Sequence, residues 1–424
     1  MTASNIHREI DAVWRIESAR LIAGLARIVR DVGVAEELAQ DALVAALEQW
    51  PASGVPDNPA AWLMTTAKRR GIDRLRHGKL VDLKHEQIGY EIESAQDDAT
   101  AAFEAAIDDD IGDDLLRLVF TACHPILSTE ARTALTLRLL GGLTTDEIAR
   151  AFLVPEPTIA QRIVRAKRTL ADAHVPFEVP RGEDRAARLA SVLEVLYLIF
   201  NEGYSATAGD DWMRPQLCED ALRLGRILAE LAPAEPEVHG LVALMEIQAS
   251  RTRARSDAFG KPILLLDQDR SRWDRLLIRR GLAALDRAQR LGGAQGAYAL
   301  QAAIAACHAR ASSADDTDWP RIAALYFALA QLTPSPIVEL NRAVAVAMAA
   351  GPAAGLELVD ALVSSRALDN YHLLPSVRGD LLTKLGRFDE AREEFERAAS
   401  LTRNARERGL LLERAASCAQ NADA

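Results

Sequence analysis

Cysteine is scarce in this chain and scattered. Cys123, Cys218, Cys307 and Cys418 stand roughly a hundred residues apart, with no CxxC pair. That spacing excludes a disulfide framework and a cysteine-based zinc site, and leaves buried free thiols in a reducing compartment. Aromatic residues make up only 5% of the 424 residues and β-branched residues are sparse, which argues against sheets. No long apolar run is present. The longest uncharged stretch, 291–309, is broken by Gly, Gln and His and is too polar to span a bilayer. The first dozen residues carry charge and no apolar signal core, so a cytoplasmic, non-membrane protein is expected. Positive charge is not in excess either: 50 Lys and Arg face 61 Asp and Glu, a net −11. Taken as a sum, that opposes nucleic-acid binding, which needs a positive surface.

Signatures of catalysis are missing as well. There is no phosphate-cradling glycine loop, nucleophile elbow or HExxH, and the eight histidines are dispersed. Cys123-His124-Pro125 places a thiol beside an imidazole, but neighbouring side chains on a helix diverge, so a buried Cys and a cap-like His are expected. Asp267-Gln-Asp269-Arg-Ser271 lacks the glycine and distal glutamate of a calcium loop. Its aspartates are expected to pair internally with Arg251, Arg253 and Arg255. No enzyme activity, catalytic residue, cofactor or metal is predicted.

What the chain has in abundance is Ala and Leu at helical spacing. Hydrophobic residues reach 49%, enough for real cores, and the length suits two to four domains at about 150 residues each. Apolar positions recur helically over 9–30 and 35–50, where Leu38, Ala42, Ala46 and Trp50 follow one another every four residues. Pro51–Pro59 carries three prolines and a glycine and is read as a loop, before a third helix from Ala60 to His77. Between Glu93 and Asp114 stand nine acidic residues and no basic one, which reads as a linker, either a solvated spacer or a nucleic-acid mimic, with a short helix around 99–107. Short helices resume at Leu115–Cys123. Ser128 or Thr129 caps the next, Gly141-Gly142 ends it, and Thr144-Thr-Asp-Glu147 reads as a capping box. Beyond Pro176–Pro180 amphipathic segments follow at 189–200, 217–231, 237–249 and 273–290. The run Leu385-Gly-Arg-Phe388 through Ala391, Phe395 and Ala398 fits a tetratricopeptide helix pair, and a weaker copy spans Asn341 to Leu362.

Two segments are locally basic. Residues 144–170 read as a helix, a tight turn and a second helix bearing Arg162, Arg165, Lys167 and Arg168, a helix-turn-helix whose second helix can enter a major groove. Ile159, Ile163 and Ala166 are expected to face Ile148 and Ala149, leaving Gln161, Arg162 and Arg165 outward. The third helix sets Lys68, Arg69, Arg70, Arg74 and Arg76 against the single Asp73, with Leu63, Ala67 and Leu75 as its buried stripe and Trp62 at its N-terminal end. Such a helix suits single-stranded or melted DNA, with cations on phosphates and apolar pockets for unstacked bases. The acidic total is therefore an average over a linker, acidic faces and two basic helices.

The segments Ala35-Glu-Glu-Leu-Ala-Gln-Asp-Ala-Leu43, Asn58-Pro-Ala-Ala-Trp-Leu63, Lys68-Arg-Arg-Gly-Ile-Asp-Arg-Leu-Arg76 and Gly142-Leu-Thr-Thr-Asp-Glu-Ile-Ala149, followed by Thr158-Ile-Ala-Gln-Arg162 and Arg165-Ala-Lys167, resemble the extracytoplasmic-function sigma factors of bacterial RNA polymerase. Tyr197-Leu-Ile-Phe-Asn-Glu-Gly-Tyr204, Gln248-Ala-Ser-Arg251 and Leu266-Asp-Gln-Asp-Arg-Ser-Arg-Trp273 resemble the subgroup with a long tetratricopeptide-like helical extension. The resemblance implies an all-α fold: a region 2-like domain (1–78), an acidic linker (79–112), a region 4-like helix-turn-helix domain (113–178), a helical extension (185–290) and TPR-like repeats (291–424). It further implies that Glu37, Gln40 and Asp41 contact core RNA polymerase. The 51–59 loop would hold a flipped base of the −10 element, with Trp62, Lys68, Arg69, Arg70, Arg74 and Arg76 on promoter DNA. Thr158, Gln161, Arg162, Arg165, Lys167 and Arg168 would serve the −35 element, the linker would thread the polymerase's nucleic-acid channel, and the extension would regulate in cis, through a regulatory protein or ligand. Two departures stand out: Leu153 replaces the usual turn glycine, and Ala160 a frequent basic position. The competing reading is a polymerase-independent helix-turn-helix regulator with a ligand- or peptide-sensing repeat domain.

Overall fold

The computed structural model describes residues 3–83 and 111–422, and the short helix expected around 99–107 lies outside them. The chain divides into two compact units, Met1–Leu196 and Tyr197–Ala424.

The first unit is built from α1 (Ala3–Val29), α2 (Val32–Ser53), α3 (Pro59–Leu83), α4 (Ile111–Ala122), α5 (Thr129–Leu139), α6 (Thr145–Phe152), α7 (Glu156–Asp172) and the first part of α8 (Gly182–Tyr204). Asp31 starts α2 by accepting from the Gly33 and Val34 amides at 2.7 and 3.0 Å, satisfying donors that have no intrahelical partner. The four-residue rhythm of Leu38, Ala42, Ala46 and Trp50 forms the buried stripe of α2, which packs on α1. Three of the expected loop residues instead belong to this helix. Pro51 lies in its last turn, where a missing amide forfeits a single bond, and the helix runs on to Ser53. Gly54, at φ 84°, then turns the chain and donates to the Trp50 carbonyl. Asn58 caps α3 by accepting from the Ala61 amide at 3.1 Å.

Asp114, counted by its neighbours as part of an acidic spacer, is a structural residue of α4. It is 3% exposed and meets Arg27 of α1 at 3.1 Å and Arg117 at 2.7 Å. A carboxylate so buried persists only because two guanidiniums face it. α4 accordingly packs along α1, and Ser128 caps α5 through the Ala131 amide.

In the second unit the rest of α8 is followed by α9 (Pro215–Leu231), α10 (Pro236–Ala249), α11 (Arg275–Arg290), α12 (Ala297–Arg310), α13 (Trp319–Leu332), α14 (Pro336–Ala350), α15 (Pro352–Ser365), α16 (Leu373–Lys384), α17 (Phe388–Leu401) and α18 (Ala405–Ala422). Successive helices pack on one another. Gly386, at φ 74°, makes the α16–α17 turn, and Ala391, Phe395 and Ala398 are buried as their spacing predicts. Gly379 lets α16 approach: a Cβ there would sit 2.9 Å from the Phe395 ring. The protein is all-α, and among the described residues β structure is limited to a two-residue parallel pairing of β1 (Ala208–Gly209) with β2 (Arg403–Asn404) and a single bridge between Ser256 and Pro262. No helix among the described residues is long and apolar enough to cross a membrane.

Candidate nucleic-acid interface

The helix-turn-helix forms from the residues that announce it. Thr144 accepts from the Glu147 amide at 3.1 Å while Glu147 accepts from the Thr144 amide at 2.8 Å, a reciprocal capping box opening α6. The turn is closed by Leu153 in the left-handed region, φ 51° and ψ 43°, the position where glycine was missed in the sequence. Pro155 then leads into α7. Ile148 and Ala149 of α6 are buried, as are Ile159, Ile163, Ala166 and Leu170 of α7. Gln161, Arg165 and Arg168 are left exposed, with Thr158 and Arg162 half-buried. Arg168 reaches Asp172 at 3.4 Å across the last turn, a solvated pair that holds it weakly.

Lys167 faces elsewhere. Its ammonium pairs with Glu36 of α2, a carboxylate 2% exposed that also accepts from Arg138 Nε at 2.6 Å and from the Gln40 amide. Arg138 donates further to the Leu143 carbonyl at 3.1 Å. Arg15 of α1 meets the capping-box Glu147 at 2.7 Å. Burial pushes the Glu147 carboxyl up, but the Thr144 amide and hydroxyl and the Arg15 charge together hold it below its ordinary value. The helix-turn-helix is therefore bound through ion pairs to α1 and α2. Glu36, Arg138 and Arg15 make contacts that no motif marks; the one sequence sign is a glutamate placed among the apolar positions of α2.

On α3, Leu63 and Ala67 are buried as expected, Arg69 is exposed and Lys68 half-buried. Arg70 meets Asp41 of α2 at 3.5 Å, so a residue expected on DNA and one expected on polymerase are neighbours here. The side chains of Leu75, Arg74 and Arg76 lie outside the described residues. Trp62 is half-buried, edge-on to Trp50 with ring centroids 5.2 Å apart. Glu37 and Asp41 share one exposed face of α2, while Gln40 is turned toward Glu36. Where α3 begins, a cavity of about 360 Å³ is lined by Leu21, Gly24, Asn58, Ala61, Leu63 and Met64, among others.

Neither Cys123-His124 nor Asp267–Asp269 is arranged for catalysis. The Cys123 thiol is buried against Thr136 at 3.2 Å and burial pushes it up to about 11, so it stays a thiol at neutral pH. His124 accepts the Ile126 amide at 3.1 Å, a local cap. All four cysteines are free and buried. Asp269 caps the Ser271 amide at 2.9 Å and Asp267 is exposed. The expected ion pairs to Arg251, Arg253 and Arg255 do not form among the described residues, because local turn formation claims Asp269 first.

Two small helical bundles, the second a helix-turn-helix with a polar recognition face, define a DNA-binding protein of the sigma-70 class. Residues 16–80 match the family described as Sigma-70 region 2, and residues 117–170 the family Sigma-70, region 4. Residues 188–289 match a family of unknown function, DUF6596. An uncharacterized protein of Rhizobium meliloti is 45% identical over 387 residues, covering 91% of this chain and 90% of its own. The ECF RNA polymerase sigma factor SigK of Mycobacterium ulcerans is 32% identical over 170 residues, 38% of this chain and 84% of that one. SigK of Mycobacterium bovis (BCG) is 30% identical over 156 residues, 36% and 78% respectively. The chain belongs to the ECF RNA polymerase sigma factors, and is a transcription factor rather than an enzyme.

Proposed function

We propose that this sigma factor brings core RNA polymerase to promoters by dividing the labour between the two halves of its first unit. The α1–α3 half reads the −10 element, with Trp62, Lys68, Arg69, Arg70, Arg74 and Arg76 along melted DNA. Glu37, Gln40 and Asp41 meet the polymerase, where an acidic face suits basic partner residues. The helix-turn-helix docks the −35 element through Thr158, Gln161, Arg162, Arg165, Lys167 and Arg168, and the acidic 79–112 segment follows the nucleic-acid channel. The observation that carries the reading is the order of the two matched regions together with the exposed Gln161–Arg165–Arg168 face of α7. For Lys167 to reach a phosphate it must leave Glu36, so DNA docking by α7 is coupled to its release from α2.

The second unit regulates this activity in cis, its α14–α15 and α16–α17 pairs serving as TPR-like repeats whose stacked surface takes a regulatory partner. The helix–glycine–helix turns at Gly351 and Gly386 support that reading. Run-off transcription with purified core polymerase tests the assignment. Promoter-specific transcripts on adding the protein are expected, whereas DNA binding without transcripts would instead mark a polymerase-independent regulator. Removal of the second unit should change transcript yield, and unchanged output would end the regulatory part alone.

A further inference from the structure

Three segments of the second unit that the transcriptional role leaves unused meet around one cavity. Tyr197, Asn201 and Tyr204 come from the end of α8, Gln248 and Arg251 from the end of α10, and the 266–273 segment supplies Arg270 and Trp273 behind them. The cavity measures about 430 Å³, within the range of small-molecule sites and room for roughly a dozen waters at about 30 Å³ each. Part of its wall is apolar, including Phe200, Leu244 and Leu329, and Gln301 and Asn341 add amides.

The charge balance around it is unusual. Arg251 lies over the Tyr204 ring at 5.7 Å and the Trp273 ring at 5.8 Å, and Arg255 stacks on the Tyr204 ring at 3.5 Å. Arg270 sits 4.7 Å over Trp273. Arg255 is spent on the Tyr204 carbonyl, and Arg270 on the carbonyls of His308 and Ala311. Arg251 donates to the Tyr204 hydroxyl at 2.6 Å and to the Gln248 side chain. No carboxylate pairs with any of the three guanidiniums among the described residues. Two buried donors or acceptors also lack a partner there: Arg251 Nε and His308 Nδ1. Burial, with Arg251 and Arg270 nearby, pushes His308 down to about 4, so it is neutral at pH 7 and does not add to the positive charge. Three cations gathered beside a roomy, partly aromatic hollow, none of them ion-paired and with only Asp316 near Arg270 opposing their charge, favour an anion that would complete them.

We infer that this cavity is a binding site for a small organic anion, a carboxylate or phosphate monoester on an apolar or aromatic body. The anionic end meets Arg251 and the body lies against Tyr204, Phe200 and Tyr326. The inference does not rest on the transcriptional role, and its test contains neither polymerase nor DNA, so either can fail alone.

Calorimetric titration of the full chain with phenylacetate, phenyl phosphate and neutral phenylacetamide decides it. At least one anion should bind with a Kd of about 1 mM or tighter, and the amide at least about tenfold more weakly. Whichever anion binds better tells a carboxylate site from a phosphate site. Arg251→Gln, shown folded by circular dichroism, should weaken the anion at least about tenfold. Should that variant not fold, Ile337→Glu serves: Ile337 lines the cavity yet is 42% exposed, and a negative charge there should weaken the anion while Ile337→Gln does not. Failure of both anions to bind, equal binding of the amide, or unchanged affinity in the folded variant would overturn the assignment.

Discussion

Leu153 occupies the αL turn of the helix-turn-helix with a β-carbon that crowds the following carbonyl. It is 53% exposed, so little packing opposes its replacement. Leu153→Gly should therefore stabilise the first unit by about 0.5–1 kcal/mol, read as a higher urea midpoint; a loss would show that its side chain contributes more than its backbone costs. Glu36 is the opposite case. It is buried and holds Arg138 and Lys167 at once. Glu36→Gln leaves both cations without their counter-charge and should cost about 3 kcal/mol in the same measurement. The same variant frees Lys167, so the affinity of the chain for a −35 duplex should rise. A stable variant with unchanged DNA affinity would show that the ion pair neither holds the unit together nor competes with DNA.

Among the elements, α8 carries the chain across the division between units, and its first half belongs to the first. Arg188 donates to the Phe120 carbonyl at 2.9 Å, and Ser191 to the Cys123 carbonyl at 2.6 Å. Arg132 of α5 is in turn held by Ser191 and by Glu194 at 3.1 Å. A boundary placed at 185 from composition alone severs these bonds, because proline punctuation at 176–180 marks where a helix ends and not where packing ends. A chain ending at residue 184 should thus melt lower than one ending at Leu196, by several degrees if buried Arg132 loses both partners. Equal melting temperatures would return the boundary to 185. The α2 helix teaches the same lesson. Its start and apolar stripe follow from Asp31 and the four-residue rhythm, yet its end overrides Pro51, since near a C-terminus a proline removes only one bond.

For the whole molecule, pH sums over both units. His308 and His124 are pushed down to about 4 from an ordinary 6.5, by burial first and then by neighbouring guanidiniums. The unfolded chain takes up these protons before the folded one, so stability is full above about pH 6.5 and falls as pH drops toward 4. His308, the more buried, contributes at most about 3 kcal/mol. Glu147, Asp380 and Glu407 act lower. Burial raises each, but Thr144 and Arg15, Lys384 and Arg414, and His372 and Thr402 respectively hold them below their ordinary values. Their stabilisation is present above the unfolded carboxylate range and is lost as pH falls through the lowered values. Urea midpoints should therefore decline in two stages, and His308→Gln should flatten the upper one; an unaltered upper stage would remove His308 from it. By itself the sequence determined most of the helices, the capping box, the buried stripe of α7 and the family. Each depends on neighbours within a turn or two, through periodicity, caps and turn residues. Only the tertiary structure decided that Glu36 binds Lys167 and Arg138, that Asp114 is a buried ion-pair partner and not spacer, and that three distant segments of the second unit enclose one cationic cavity. Those contacts join residues far apart in the chain, and a charge's burial and partner are set by packing, which no local pattern records.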